Sequence, residues 1–107
     1  MRIVMKTRTG RYDAIAEFDP KTGKTVVKLG SRVSPTVADQ SHFRSANAIN
    51  KKRKDNVKDD ILQNDLTFNS PSAAACFVGG NSHNGYDDWK DEKGHTVRTI
   101  LEEMKGK

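Results

Sequence analysis

Between residues 11 and 18 the chain alternates, with Tyr12, Ala14, Ala16 and Phe18 on one side and polar residues between most of them. A period of two predicts a strand with one buried face. Asp19, Pro20 and Gly23 follow, and this is turn chemistry, because proline presets φ and glycine accepts positive φ. Residues 24–29 contain Thr25, Val26, Val27 and Leu29, β-branched and apolar enough to form the returning strand, so 11–29 reads as an antiparallel hairpin. Residues 2–6 can add a short edge strand. Gly30 and Ser31 end the hairpin, and Ser34 and Pro35 begin a loop.

The pattern then changes period. Residues 42–58 read as a helix whose apolar stripe is patchy: Phe43, Ala46, Ile49 and Val57, crossed by the basic run Lys51, Lys52, Arg53 and Lys54. Four consecutive basic residues reach every side of a helical turn, so some must face solvent, and Lys51 is placed to pair with Asp55 at i+4. Ile61 and Leu62, then Leu66, Thr67 and Phe68, suggest extended chain. The strongest local signal follows. Ser70 suits an N-cap, Pro71 the first helical position, Ala73, Ala74 and Ala75 favour helix and close packing, and Gly79 or Gly80 can end it in the left-handed conformation. Asn84 and Gly85 form a tight-turn dipeptide ahead of Tyr86 and Trp89. Finally Val97, Ile100, Leu101 and Met104 fall at i, i+3, i+4 and i+7, the stripe of an amphipathic helix.

These elements predict a single α+β domain over residues 1–107. It has an N-terminal antiparallel β-hairpin or small three-stranded sheet, packed by the short helix at 71–78 and the amphipathic C-terminal helix. A chain of 107 residues is long enough for one core without covalent staples. With 34% hydrophobic and 31% charged residues, that core is thin and the surface heavily charged.

Composition narrows the chemistry. Cys76 is the one cysteine, so no internal disulfide is possible. A lone thiol with His42, His83 and His95 at wide spacings is not the pattern of a zinc site, and no cofactor is expected. No apolar run approaches a membrane span or a signal peptide, so the expected compartment is the reducing cytoplasm, with no membrane partner. Cys76, among alanines, reads as a small buried hydrophobe rather than a nucleophile.

Net charge is +5, distributed unevenly. Residues 1–58 carry 14 Lys/Arg against 5 Asp/Glu, whereas residues 59–107 carry 5 against 9. Such asymmetry marks either a polyanion-binding face or two halves that attract one another in the fold. Asp88, Trp89 and Lys90, like Asp91, Glu92 and Lys93, fit the Asp-x-Lys triplet of metal-dependent nucleases. Triplets of this kind arise by chance, and the chemistry needs a further carboxylate beside them to hold the metal. No catalytic residue is assigned, and the chain is not expected to be an enzyme.

Phe68, Asn69, Ser70, Pro71, Ser72 and the three alanines, followed by Gly80, Asn84, Gly85, Tyr86, Trp89 and Lys90, resemble the domain-of-unknown-function family 4357. The resemblance is specific over 68–90 and extends over about 12–101, where Lys28, Leu29, Gly30 and Ser31 fit the family's end to its hairpin. Members sit beside GIY-YIG-type nucleases or in restriction-associated proteins, and the pattern is more distantly similar to the RAMA domain of restriction enzymes and adenine methylases, which implies DNA binding. Two positions depart from the pattern: Tyr86 stands where tryptophan is common, and the 44–58 helix is rich in lysine and poor in leucine. The GIY-YIG motifs themselves are absent, so the resemblance implies the accessory module without its nuclease.

Two function classes follow. The first is a non-catalytic nucleic-acid-binding module, DNA before RNA, in which Arg44, Lys51, Lys52, Arg53, Lys54 and Lys58 meet the phosphate backbone. The second is a protein-interaction module that docks onto a nuclease or methylase partner. Ser70, Pro71, Ser72, Asn84, Gly85 and Trp89 are expected to be structural. The helix start at Ser70 has N–H groups that suit a phosphate, but capping accounts for them first. A lone tryptophan is more often a core anchor than a base-stacking platform.

Overall fold

A computed structural model describes residues 1–39, 41 and 43–106. The N-terminal half forms the predicted hairpin with strand β1 (Arg2–Lys6) on its edge, then β2 (Asp13–Phe18) and β3 (Thr25–Val27). Ile3 faces Ala16 and Ala16 faces Val27 across the antiparallel ladders, so one row of apolar side chains runs across the sheet. All three are fully buried. The alternation in β2 is realised as expected: Ala14, Ala16 and Phe18 are buried, with Tyr12 half-buried just before the strand.

The sheet has four strands rather than three. β6 (Leu66–Phe68) returns to pair antiparallel with β3, giving the order β1-β2-β3-β6. Between β3 and β6 lie helix α1 (Ala46–Asn56) and a two-stranded ribbon, β4 (Val57–Lys58) with β5 (Ile61–Leu62). The ribbon turns through Asp59 and Asp60, both at positive φ (53° and 65°). Aspartate tolerates this conformation better than most residues because its short polar side chain can bond locally.

Helix α2 (Pro71–Gly79) is the central element of the helical layer, burying Pro71, Ala74, Ala75, Phe77 and Val78. Ser70 caps it as predicted, its hydroxyl accepting from the Ala73 N–H at 3.1 Å, and Gly80 ends it at φ 71°. The Asn84–Gly85 pair is not the isolated tight turn that its composition suggests. Asn84 caps a short helix, α3 (Gly85–Asp88), accepting from the Tyr86 N–H at 3.1 Å. The reason is that an asparagine able to make an Asx turn is equally an N-cap, and the packing of α3 on α2 selects the second. Helix α4 (Val97–Lys105) closes the domain with Val97 and Ile100 buried and Leu101 half-buried, while Met104 extends past the core. The architecture is α+β, and no helix among the described residues is long and apolar enough to cross a membrane.

Candidate nucleic-acid interface

Helical geometry decides which cation of the basic run faces outward. At about 100° per residue, Ala46, Ile49, Arg53 and Asn56 share one stripe of α1. Ala46 and Ile49 are buried, so this stripe is the inner face. Lys51 then projects opposite it, and Lys52 and Lys54 flank it. A basic run of four must place one member inward, and here that member is Arg53.

Arg53 is half-buried and tied to backbone carbonyls of neighbouring elements. Its guanidinium donates to the backbone carbonyls of Ser34, Phe77 and Val78, with Nη2 to Phe77 O at 2.7 Å and to Val78 O at 3.2 Å. Phe77 and Val78 lie in the last turn of α2, where carbonyls lack helical partners and the helix end is partially negative. That turn has no basic residue of its own, and Arg53 supplies the cation from another helix. Burial pulls its pKa down to about 10, opposed by the nearby Asp60 carboxylate, and the group stays charged at neutral pH. The guanidinium also lies over the Phe77 ring, 5.7 Å from its centroid. Of the six cations assigned to phosphate contact, Arg53 is therefore engaged elsewhere, as a cap on α2. A planar fork of donors can satisfy several carbonyls at once, which a lysine at this position could not do as well.

The remaining five are exposed: Arg44 in the turn before α1, Lys51, Lys52 and Lys54 on it, and Lys58 in β4. Lys52 rests its ammonium over the Phe68 ring at 4.6 Å, which fixes its stem along the surface without neutralising it. The Lys51–Asp55 pair suggested by spacing does not form, consistent with the small worth of exposed helical pairs. Elsewhere two cations of the N-terminal half meet acids of the C-terminal half: Lys28 with Asp65 at 2.9 Å and Arg2 with Glu92 at 3.8 Å. Lys28 and Arg2 serve attraction within the fold, whereas the lysines of α1 enter no ion pair among the described residues.

The motif residues at 70–89 form a closed set of contacts. Trp89 is fully buried and its indole N–H donates to the Pro71 carbonyl at 3.0 Å. The Ser72 hydroxyl accepts from the Gly85 N–H at 3.0 Å. Gly85 approaches Pro71 so closely that a Cβ there would stand 2.2 Å from the Pro71 carbonyl oxygen. Pro71, Ser72, Gly85 and Trp89 therefore join α2 to α3, Ser70 and Asn84 cap the two helices, and at the start of α2 the Ala73 and Ala74 N–H groups are taken up by Ser70. Cys76 is half-buried, with its thiol 3.8 Å from the His83 carbonyl oxygen.

Among the described residues, His83 and His95 each meet a different carboxylate. His83 Nδ1 lies 2.8 Å from Asp88 and His95 Nδ1 lies 3.3 Å from Asp91, while His42 falls outside the described residues. Among the described residues no three His, Cys, Asp or Glu side chains are grouped as metal ligands. In the Asp-x-Lys triplets, Asp88 meets His83, and Asp91 accepts from the Lys93 and His95 backbone N–H groups at 2.9 Å each.

The model of a family described as Domain of unknown function (DUF4357) matches residues 5–101. Neither the curated proteins nor the solved structures contain a match.

Proposed function

We propose that this chain, which belongs to the DUF4357 family, is a non-catalytic nucleic-acid-binding accessory module that meets the phosphate backbone of DNA through α1 and its flanks. One observation carries the reading: exposed Lys51, Lys52 and Lys54 project from a single helix and none enters an ion pair among the described residues, whereas Arg2, Lys28 and Arg98 are each paired with an acid. Cations arranged in this way attract phosphates and release counterions, giving affinity without reading sequence. Arg44 and Lys58 extend the strip at the two ends of the helix. The resemblance to modules accompanying GIY-YIG-type nucleases and restriction-linked proteins, and more distantly to the RAMA domain, supports the same reading.

The test is the salt dependence of duplex binding. If the three lysines each neutralise one phosphate, log K falls with log salt at a slope of about −2.7, at about −0.9 per phosphate. Arg44 and Lys58 steepen it where they take part. Docking onto a nuclease or methylase, the competing reading, predicts no duplex binding at low salt and a stable complex with such a partner instead. Absence of any duplex or single-strand binding at low salt would falsify the nucleic-acid reading.

A further inference from the structure

The segment at residues 34–38 runs beside the end of α2, fixed there by Ser34 N–H to Val78 O at 2.8 Å and Ala38 N–H to Gly80 O at 2.7 Å. Val37 in this segment lines two concavities. One is the groove beside Asn50, Arg53 and Lys54 of α1. The other is a cleft of about 550 Å³ reached by Arg11, Tyr12, Thr36, Asn81 and His83. The cleft is lined by no residue of α1, and three of its features point to a ligand.

First, Arg11 is oriented but not neutralised. Its Nε donates to the Ser34 hydroxyl at 3.0 Å, and one Nη donates to the Thr36 hydroxyl. Ser34 is itself fully buried, and its hydroxyl donates onward to the Thr36 carbonyl at 3.2 Å, which turns a lone pair toward Arg11. A guanidinium has five N–H donors, so about three remain, including the pair along its outer edge that suits two oxygens of one oxyanion. Arg11 enters no ion pair among the described residues.

Second, Tyr12 lines the same cleft, and its hydroxyl has no hydrogen-bond partner among the described residues. Burial pushes its pKa up, with Asp88 adding to the shift, so at neutral pH the hydroxyl is a donor. Third, the aromatic side of the cleft is held in place. Tyr12 meets His83 edge-on at 6.1 Å, and His83 is tied to Asp88 at 2.8 Å. The imidazole lies directly against Gly79, where a Cβ would come within 2.1 Å of His83 Nε2, so only glycine admits the ring in this position.

We propose that this cleft is a phosphate site in which the outer edge of Arg11 and the Tyr12 hydroxyl hold the oxyanion, and the remaining space receives the nucleoside attached to it. The volume falls in the range of about 300–1,000 Å³ usual for small-molecule sites and exceeds what an inorganic phosphate fills. The proposal rests on the nucleic-acid reading only for where the phosphate comes from. A strand lying along α1 passes Val37 to reach the cleft, and a free nucleotide enters it alone.

The experiment maps amide shifts of the full chain by NMR with thymidine 5′-monophosphate, with thymidine, with inorganic phosphate and with a short duplex. The expected result is saturable movement of the Thr36, Val37, Gly80 and Asn81 amides with the monophosphate, weaker movement with inorganic phosphate and none with thymidine. Arg11→Lys keeps the charge but loses the fork, and should weaken monophosphate binding about tenfold. Tyr12→Phe removes one hydroxyl and serves if the Arg11 variant melts early. Its expected loss is about threefold to tenfold. Shifts confined to α1, or affinity unchanged in both variants, overturn the cleft and leave the α1 reading standing. Cleft shifts with the monophosphate but no duplex binding support the cleft, make free nucleotide its ligand and count against the α1 reading.

Discussion

Helices α1 and α2 lie against each other and are built in opposite ways. α2 carries no charged side chain, buries five residues in nine positions, and is capped at both ends. α1 carries four cations in a row, buries only Ala46 and Ile49, and has no side-chain cap on its first turn. What joins them is Arg53, a charged residue of the exposed helix completing the end of the buried one. The contrast teaches that a charge run is not a uniform surface. Its members divide by angle on the helix, and the one that faces inward must find partners as strong as the water it gave up.

The sharpest way to break the contrast is to place on α2 what α1 tolerates. Ala74 is completely buried, and Ala74→Arg puts an unpaired charge into packed space. A cost of about 4 kcal/mol or more is expected, enough to unfold a domain of this size. A thermal melt by circular dichroism checks it, and an unchanged midpoint would take α2 out of the core. Gly85→Ala tests the α2–α3 junction. Its methyl would meet the Pro71 carbonyl, whose oxygen also accepts the Trp89 indole N–H, so the two helices must separate. About 2–3 kcal/mol is expected from the forced shift. Tryptophan emission should move to the red as Trp89 loses its enclosure.

The difference between the helices also explains what the sequence makes legible. The caps of α2, the alternation of β2 and the stripe of α4 depend on residues near one another in the chain, and each was readable. The pairing of β6 with β3 depends on Thr25 meeting Phe68, across a stretch that includes all of α1 and the ribbon, and local pattern does not encode it. Likewise the basic run reads as a charged helix, but which cation turns inward is set by the carbonyls of Phe77 and Val78, far along the chain. Arg11 shows the same limit. It reads as an ordinary polar residue ahead of a strand, and its significance comes from Ser34 and Thr36.

Arg53 itself sharpens the contrast. Arg53→Met keeps much of the stem's packing and removes every donor, leaving the Ser34 and Phe77 carbonyls to find water or stay unpaired, while the Val78 carbonyl keeps the Ser34 N–H. A cost of about 1–3 kcal/mol is expected, read from urea unfolding. Arg53→Lys should recover only part of it, because one ammonium does not reproduce the fork. Duplex affinity measured well below the melting temperature should keep its salt slope in both variants. A slope that flattens as much as it does for an outward lysine would place Arg53 on the phosphate after all.

The smallest effect on the fold is expected from the lysines that carry the proposed function. Lys51 projects opposite the buried stripe of α1 and Lys54 flanks it, and neither is held by an ion pair. Replacing both by alanine removes no packed contact, and alanine favours helix, so stability should stay within about 0.5 kcal/mol. Duplex binding should behave differently. Losing two phosphate contacts flattens the salt slope by about 1.8, with affinity falling similarly for unrelated duplex sequences. Lys52→Ala adds a third step of about 0.9. It should also cost a few tenths of a kcal/mol in stability, since its ammonium lies over Phe68. The measurement is a titration of fluorescent duplex at several salt concentrations, beside a melt of each variant. A double variant that binds duplex with the wild-type slope would move the interface off α1, however well the protein still folds.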